Sequence, residues 1–169
     1  MRKPFIAGNW KMNLTRTSSV ALVHGLQDAL PTDGQVEVAV CPPAVYLHDV
    51  GAALRGSSIG LGAQNMHFEK EGAFTGEVSA DMLKDLGCRY VILGHSERRQ
   101  YFGETDAIVN QKTVVALASG LVPIVCVGET LEEREAGQTE QVVKTQINGS
   151  LASLTAEQAG GLVIAYEPV

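Results

Sequence analysis

Residues 121–127 read Leu-Val-Pro-Ile-Val-Cys-Val, seven apolar positions in a row that run into Gly128-Glu129. A run this short, rich in β-branched residues and without alternating polarity, predicts a strand covered on both faces, as strands of parallel sheets are. Just upstream, Ile108, Val109, Val115 and Ala116 recur at helical spacing, with Thr105 and Asp106 as candidate caps and Gly120 as the stop. A helix feeding a buried strand is half of a β-α-β unit, and the same pattern extends in both directions. Strand-like runs lie at Phe5–Trp10, Val36–Cys41, Ser58–Ala63, Tyr90–Gly94 and Leu162–Glu167. All six starts are spaced by about 31 residues on average, the length of one such unit. Between them, Leu22, Val23, Leu26 and Leu30 form a stripe closed by Pro31, and Met82, Leu83 and Leu86 lie between Ser79 and Gly87. A longer stripe, Val143, Ile147, Leu151 and Leu154, is weakened by Gly149 at a cost of about 1 kcal/mol. The fold class is therefore α/β with right-handed crossovers, which leaves an open doubly wound sheet and a (β/α)₈ barrel as the two architectures. Eight units take about 250 residues, so the 169 residues hold about six, with no boundary dividing them.

Composition narrows the function classes. With 45% hydrophobic and 19% charged residues the chain can bury a core, which excludes disorder and fibrous repeats. A net charge of -6 repels nucleic acid and anionic membrane, so any anionic ligand must be held locally. The longest uncharged stretch, Thr113 to Gly128, is shorter than the roughly 18 apolar residues of a membrane span. Arg2 and Lys3 open the chain, but Pro4, Asn9, Lys11 and Asn13 interrupt any signal-peptide core, so a cytoplasmic location is expected. Cys41, Cys88 and Cys126 show no Cys-x-x-Cys spacing and read as reduced, mostly buried thiols. His24, His48, His67 and His95 are not paired at ligand spacing, so no metal is expected.

In parallel α/β folds, ligands sit beyond the carboxyl ends of the strands. Four strand ends carry polar groups: Asn9 and Lys11, His95, the Gly128-Glu129 turn, and Glu167. No dinucleotide-binding or P-loop glycine pattern accompanies them, which disfavours nucleotides. The acidic run Glu129 to Glu135 reads as a helix start on the solvent side, and Arg98 and Arg99 as structural ion-pair partners.

Five segments in order, Ala7-Gly-Asn-Trp-Lys-Met-Asn13, Gly72-Ala-Phe-Thr-Gly-Glu77, Gly94-His-Ser-Glu-Arg-Arg99, Cys126-Val-Gly-Glu129 and Ala165-Tyr-Glu-Pro-Val169, resemble the triosephosphate isomerase family along the whole chain. The resemblance selects the TIM (β/α)₈ barrel and implies interconversion of dihydroxyacetone phosphate and glyceraldehyde 3-phosphate through an enediolate, without cofactor or metal. The residue roles are carried over from that family and not deduced from spacing. Glu167 would be the carboxylate that moves the proton between two carbons, and His95 a neutral electrophile whose charging is opposed by the helix opening at Ser96. Lys11 would place positive charge beside the substrate oxygens, Asn9 would orient its neighbours, and Glu97 would tune Lys11 and His95. The loop around Thr75 implies a homodimer, since in the family it reaches into the partner subunit. After Ala-Tyr-Glu-Pro-Val the family continues with a mobile lid and two more β/α units that grip phosphate. Residues 1–169 are thus expected to be a partial barrel domain, a truncated isomerase with little or no activity of its own, or alternatively a non-catalytic folding or assembly fragment. Such a fragment could form oligomers larger than the family dimer through its open barrel edges.

Overall fold

The computed structural model describes residues 3–31 and 33–167. Arg2 of the N-terminal reading and Pro168 and Val169 of the last motif lie outside the described residues. Among these residues six strands form one sheet: β1 (Phe5–Asn9), β2 (Glu37–Cys41), β3 (Gly60–Ala63), β4 (Tyr90–Leu93), β5 (Val122–Val127) and β6 (Val163–Tyr166). All five pairings are parallel and follow chain order without reversal, from Ala7 opposite Ala39 to Val127 opposite Tyr166. A doubly wound sheet reverses its strand order at a switch point, so this order resolves the earlier alternative in favour of the barrel. The sheet is an open half-barrel, an incomplete (β/α)₈ architecture.

Helices connect the strands: α1 (Arg16–Ala29), α2 (Leu47–Ala53), α3 (Ala80–Asp85), α4 (Ser96–Phe102), α5 (Asp106–Ala118), α6 (Leu131–Glu135), α7 (Thr139–Ser150) and α8 (Ala156–Gly160). The starts of α1, α3, α5, α6 and α8 are capped by Ser or Thr hydroxyls, as where Thr105 accepts from Ile108 N–H and Thr130 and Glu133 form a reciprocal box. Gly87 and Gly120, the expected stops, have φ of 82° and 77°, a left-handed turn that costs glycine little.

Alternation along the strands sorts two layers. Val40, Leu61, Val91 and Val125 face outward onto Val23, Leu47, Leu83 and Val109 of the helices. Ala39, Cys41, Tyr90, Ile92, Ile124 and Cys126 cluster on the concave side. All three cysteines are free and buried, and burial pushes each thiol up to about 12.

Three expectations need correction. Leu151 and Leu154 do not extend the α7 stripe, because the helix ends at Ser150 and Leu151 caps it. Met82 points outward at 54% exposure while Leu83 takes the core position. Glu129 is not on the solvent side but fully buried, and the helix of that acidic run begins only at Leu131.

Candidate active site

The strand ends bring Asn9, Lys11, His95, Glu97 and Glu167 to one rim. Asn9 closes β1, and the chain then turns sharply enough that Lys11 has φ of 49°, a left-handed conformation that costs a side-chain-bearing residue about 1–3 kcal/mol. Two side chains hold it there. Lys11 N–H donates to Asn9 Oδ1 at 3.0 Å, and Gln64 Nε2 donates to Lys11 O at 2.8 Å and to Cys41 O at 2.9 Å. The side chain so aimed brings Nζ to 2.9 Å from Glu97 Oε1 and 4.0 Å from Glu167 Oε1. The hydrogen bond to Glu97 holds the Lys11 ammonium above its ordinary range against a smaller opposing effect of burial, with the charges of Glu97 and Glu167 adding to it.

His95 follows β4 and is the N-cap of α4. Its Nδ1 accepts from Glu97 N–H at 3.2 Å, and its Nε2 lies 3.2 Å from Glu167 Oε2. Accepting at Nδ1 leaves the ring proton on Nε2, the atom that faces the carboxylate. Ser96 Oγ donates to the same Glu167 oxygen at 3.1 Å. The His95 side chain is 9% exposed, whereas the Lys11, Glu97 and Glu167 side chains are each a little over 40% exposed. An open cleft of about 720 Å³ runs from Asn9, Lys11, His95 and Glu97 past Gln64 to Gly76 and Glu77.

Thr75 is exposed in the loop between β3 and α3. Beside it, Phe74 is half exposed with its ring 4.3 Å from that of His67. Arg98 and Arg99 make the expected ion pairs, with Glu104 at 2.5 Å and Asp106 at 2.6 Å. Glu129 accepts from Tyr166 Oη at 2.9 and 3.0 Å and from Thr139 Oγ1 at 3.2 Å. Its own backbone N–H holds this carboxyl below the usual range, burial opposes, and the two hydroxyls and Arg134 add to the lowering.

Gln64 and Ser96 are polar contacts of this rim that the sequence reading did not assign. The strand-end rule would have reached Gln64, the first residue after β3, and Ser96 sits inside the segment that supplied His95. A cation, a ring N–H and a carboxylate that meet at one rim can bind a small anionic oxygen compound and transfer a proton on it.

The family model described as triosephosphate isomerase matches residues 4–169. The triosephosphate isomerase of Carboxydothermus hydrogenoformans is 63% identical over 169 residues, covering 100% of this chain and 67% of its own. That of Herpetosiphon aurantiacus is 58% identical over 169 residues, covering 100% and 68%, and that of Rhodopirellula baltica 58% over 168 residues, covering 99% and 66%. The chain thus spans about two thirds of the length of these curated relatives.

Proposed function

Since the chain belongs to the triosephosphate isomerase family, we propose that this rim interconverts dihydroxyacetone phosphate and glyceraldehyde 3-phosphate, as part of a cytoplasmic homodimer that needs no cofactor or metal. One observation carries the reading: Glu167 stands 3.2 Å from His95 Nε2 and 4.0 Å from Lys11 Nζ, so base, hydrogen-bond donor and cation converge. In the proposed mechanism a Glu167 oxygen removes a proton from the hydroxyl-bearing carbon next to the substrate carbonyl and returns it to the former carbonyl carbon, while the hydroxyl proton passes to the former carbonyl oxygen, so that carbonyl and hydroxyl change places. His95 Nε2–H turns from Glu167 to the substrate oxygens and stabilises the enediolate as a neutral donor. Lys11, kept protonated by Glu97, supplies the positive charge that the developing oxyanion needs. Asn9 acts through the backbone, fixing the turn that aims Lys11. The Thr75 loop is proposed to dock on a second copy, covering Phe74.

For residues 1–169 taken alone, the proposal is little or no turnover. Glu167 directly follows β6, which among the described residues has a ladder partner on one side only. The family's lid and phosphate-gripping loops lie beyond the Ala165-Tyr-Glu-Pro-Val169 segment. A position error near 1 Å at such a base costs on the order of a hundredfold. The second reading, a non-catalytic folding or assembly module, is favoured by the apolar residues of the two edge strands, Ile6 at 60% and Ile164 at 40% exposure. An assay of the purified chain beside an identically prepared Glu167→Gln version separates the two. A rate that vanishes in the variant supports the isomerase reading for these residues by themselves. Equal background rates support the module.

A further inference from the structure

The end of β5 is clamped by a side chain from the helix behind it. Gln146, in the middle of α7, accepts from Gly128 N–H through Oε1 at 2.8 Å and donates to Gly128 O through Nε2 at 3.0 Å. Both hydrogen-bonding groups of one backbone residue are thereby taken up by one planar amide, as a neighbouring strand would take them. Gly128 in turn is the surface on which Glu167 rests: a methyl group at this position would overlap Glu167 O, and Glu167 N–H donates to Val127 O at 2.9 Å. The chain of contact runs from α7 through Gly128 to the Glu167 backbone and out to the carboxylate beside His95.

We propose that Gln146 is a positioning residue for Glu167, acting through Gly128 and touching no reacting atom. Without the clamp, the Gly128 peptide is free to rotate or shift, and the Glu167 backbone packed on it moves with it. The other supports of the β6 end do not replace this one. Tyr166 Oη on Glu129 fixes the preceding side chain, and Ser96 Oγ on Glu167 Oε2 fixes one carboxylate oxygen, but neither fixes the Glu167 carbonyl. Glu167's chemical role rests on the isomerase reading, whereas the clamp does not. The test therefore reads geometry and not turnover.

The ring nitrogens of His95 report on Glu167, because Nε2 faces Glu167 Oε2. In ¹⁵N-labelled 169-residue chain, the Gly128 amide and His95 ring resonances are compared among wild type, Gln146→Met, Gln146→Glu, Glu167→Gln and the exposed-site control Lys144→Met. Gln146→Met keeps the volume and helix propensity but loses both hydrogen bonds. Gln146→Glu still accepts from Gly128 N–H while setting a carboxylate against Gly128 O, so it gives a graded intermediate. The expected result is that the His95 Nε2 resonance moves in the direction of Glu167→Gln in both Gln146 variants, further in Met than in Glu, and stays at the wild-type position in Lys144→Met. Thermal unfolding of each sample separates this from loss of fold, and if Gln146→Met does not fold, Gln146→Glu carries the comparison. A folded Gln146 variant whose Gly128 amide shifts while His95 stays at its wild-type position overturns the proposal. Unchanged His95 resonances in Glu167→Gln would overturn it as well, since the two residues would then not be in contact. Triose phosphate turnover, of which residues 1–169 are expected to show little or none, bears on the isomerase reading alone and leaves the clamp untouched.

Discussion

Glu104 holds a charge at 6% exposure, a placement that survives only because two cations share one of its oxygens. Arg98 Nε donates to Oε1 at 2.5 Å and Lys112 Nζ at 2.6 Å, while Lys112 also donates to Asn65 Oδ1 at 2.8 Å. Burial pushes the carboxyl up, but the hydrogen bonds and charges of Arg98 and Lys112 outweigh it and hold the group below its ordinary value of 4.5. A carboxyl depressed in the folded state stabilises the fold above its unfolded value, and that contribution is lost as pH falls through the folded value. Glu104→Gln should therefore cost about 3–5 kcal/mol at neutral pH, where buried Lys112 and partly buried Arg98 lose their charged partner, and less well below pH 4.5. Urea denaturation of both proteins at the two pH values checks this, and a gap that does not narrow on acidification refutes it. Residues of this kind divide by what makes them visible. Lys11, His95 and Glu167 were legible because they end strands inside distinctive segments, whereas the burial of Glu129 was not, since an acidic run looks solvated until Tyr166 and Thr139 are placed beside it. Gln64 and Gln146 act by donating to or accepting from backbone groups distant in sequence, and no local pattern marks such a partner.

Gly149 shows the same division at the level of an element. By propensity alone a glycine in the last turn of α7 is a weakness that alanine would repair by about 1 kcal/mol. In the folded chain its Cα faces α5 so closely that an added Cβ would lie 2.6 Å from Asp106 Cβ, and Asp106 is the partner of Arg99 Nη1 at 2.6 Å. Overpacking of this kind costs about 1–3 kcal/mol, more than the helix gains. Gly25 in α1 has nothing within 4 Å of where its Cβ would be, so there the propensity term stands alone. The expected outcome is opposite signs: Gly25→Ala stabilises by about 0.5–1 kcal/mol and Gly149→Ala destabilises. Denaturant midpoints of the two variants decide it, and a stabilised Gly149→Ala would mean that α5 and α7 are less tightly apposed than described. The strands and longer helices were legible because each carries enough turns or β-branched positions to show a period. Short α2 and α8, of seven and five residues, carry too few turns for an apolar stripe to stand out. The overextension of α7 to Leu154 came from apolar residues that continue past the helix end into the following turn.

On the scale of the molecule, near-continuous apolar strands made the parallel sheet legible, but the choice between a doubly wound sheet and a barrel was settled only by the sequential strand order and by the resemblance. That order has a consequence for solution behaviour. Among the described residues β2 to β5 are paired on both sides, while β1 and β6 each leave one row of backbone N–H and C=O groups without a ladder. Ile6 and Ile164 on those strands are 60% and 40% exposed, while the concave layer of Cys41, Tyr90, Ile92 and Cys126 between them stays buried. Barrels remove such edges by closure, and parallel strands lack the solvated face with which antiparallel edges tolerate water. The exposed Met12, Tyr101 and Phe102 add a second apolar patch bordering the cleft. The purified 169-residue chain should consequently self-associate, giving a light-scattering mass above 18.0 kDa that rises with concentration across the micromolar range. Charged substitutions at the edges, Ile6→Lys with Ile164→Glu, should lower that mass if strand pairing drives assembly. Replacing Phe102 with Asp should lower it if the patch beside the cleft does. A monodisperse 18.0 kDa species throughout would show that the half-barrel shields its own edges, and with them the β6 end that carries Glu167.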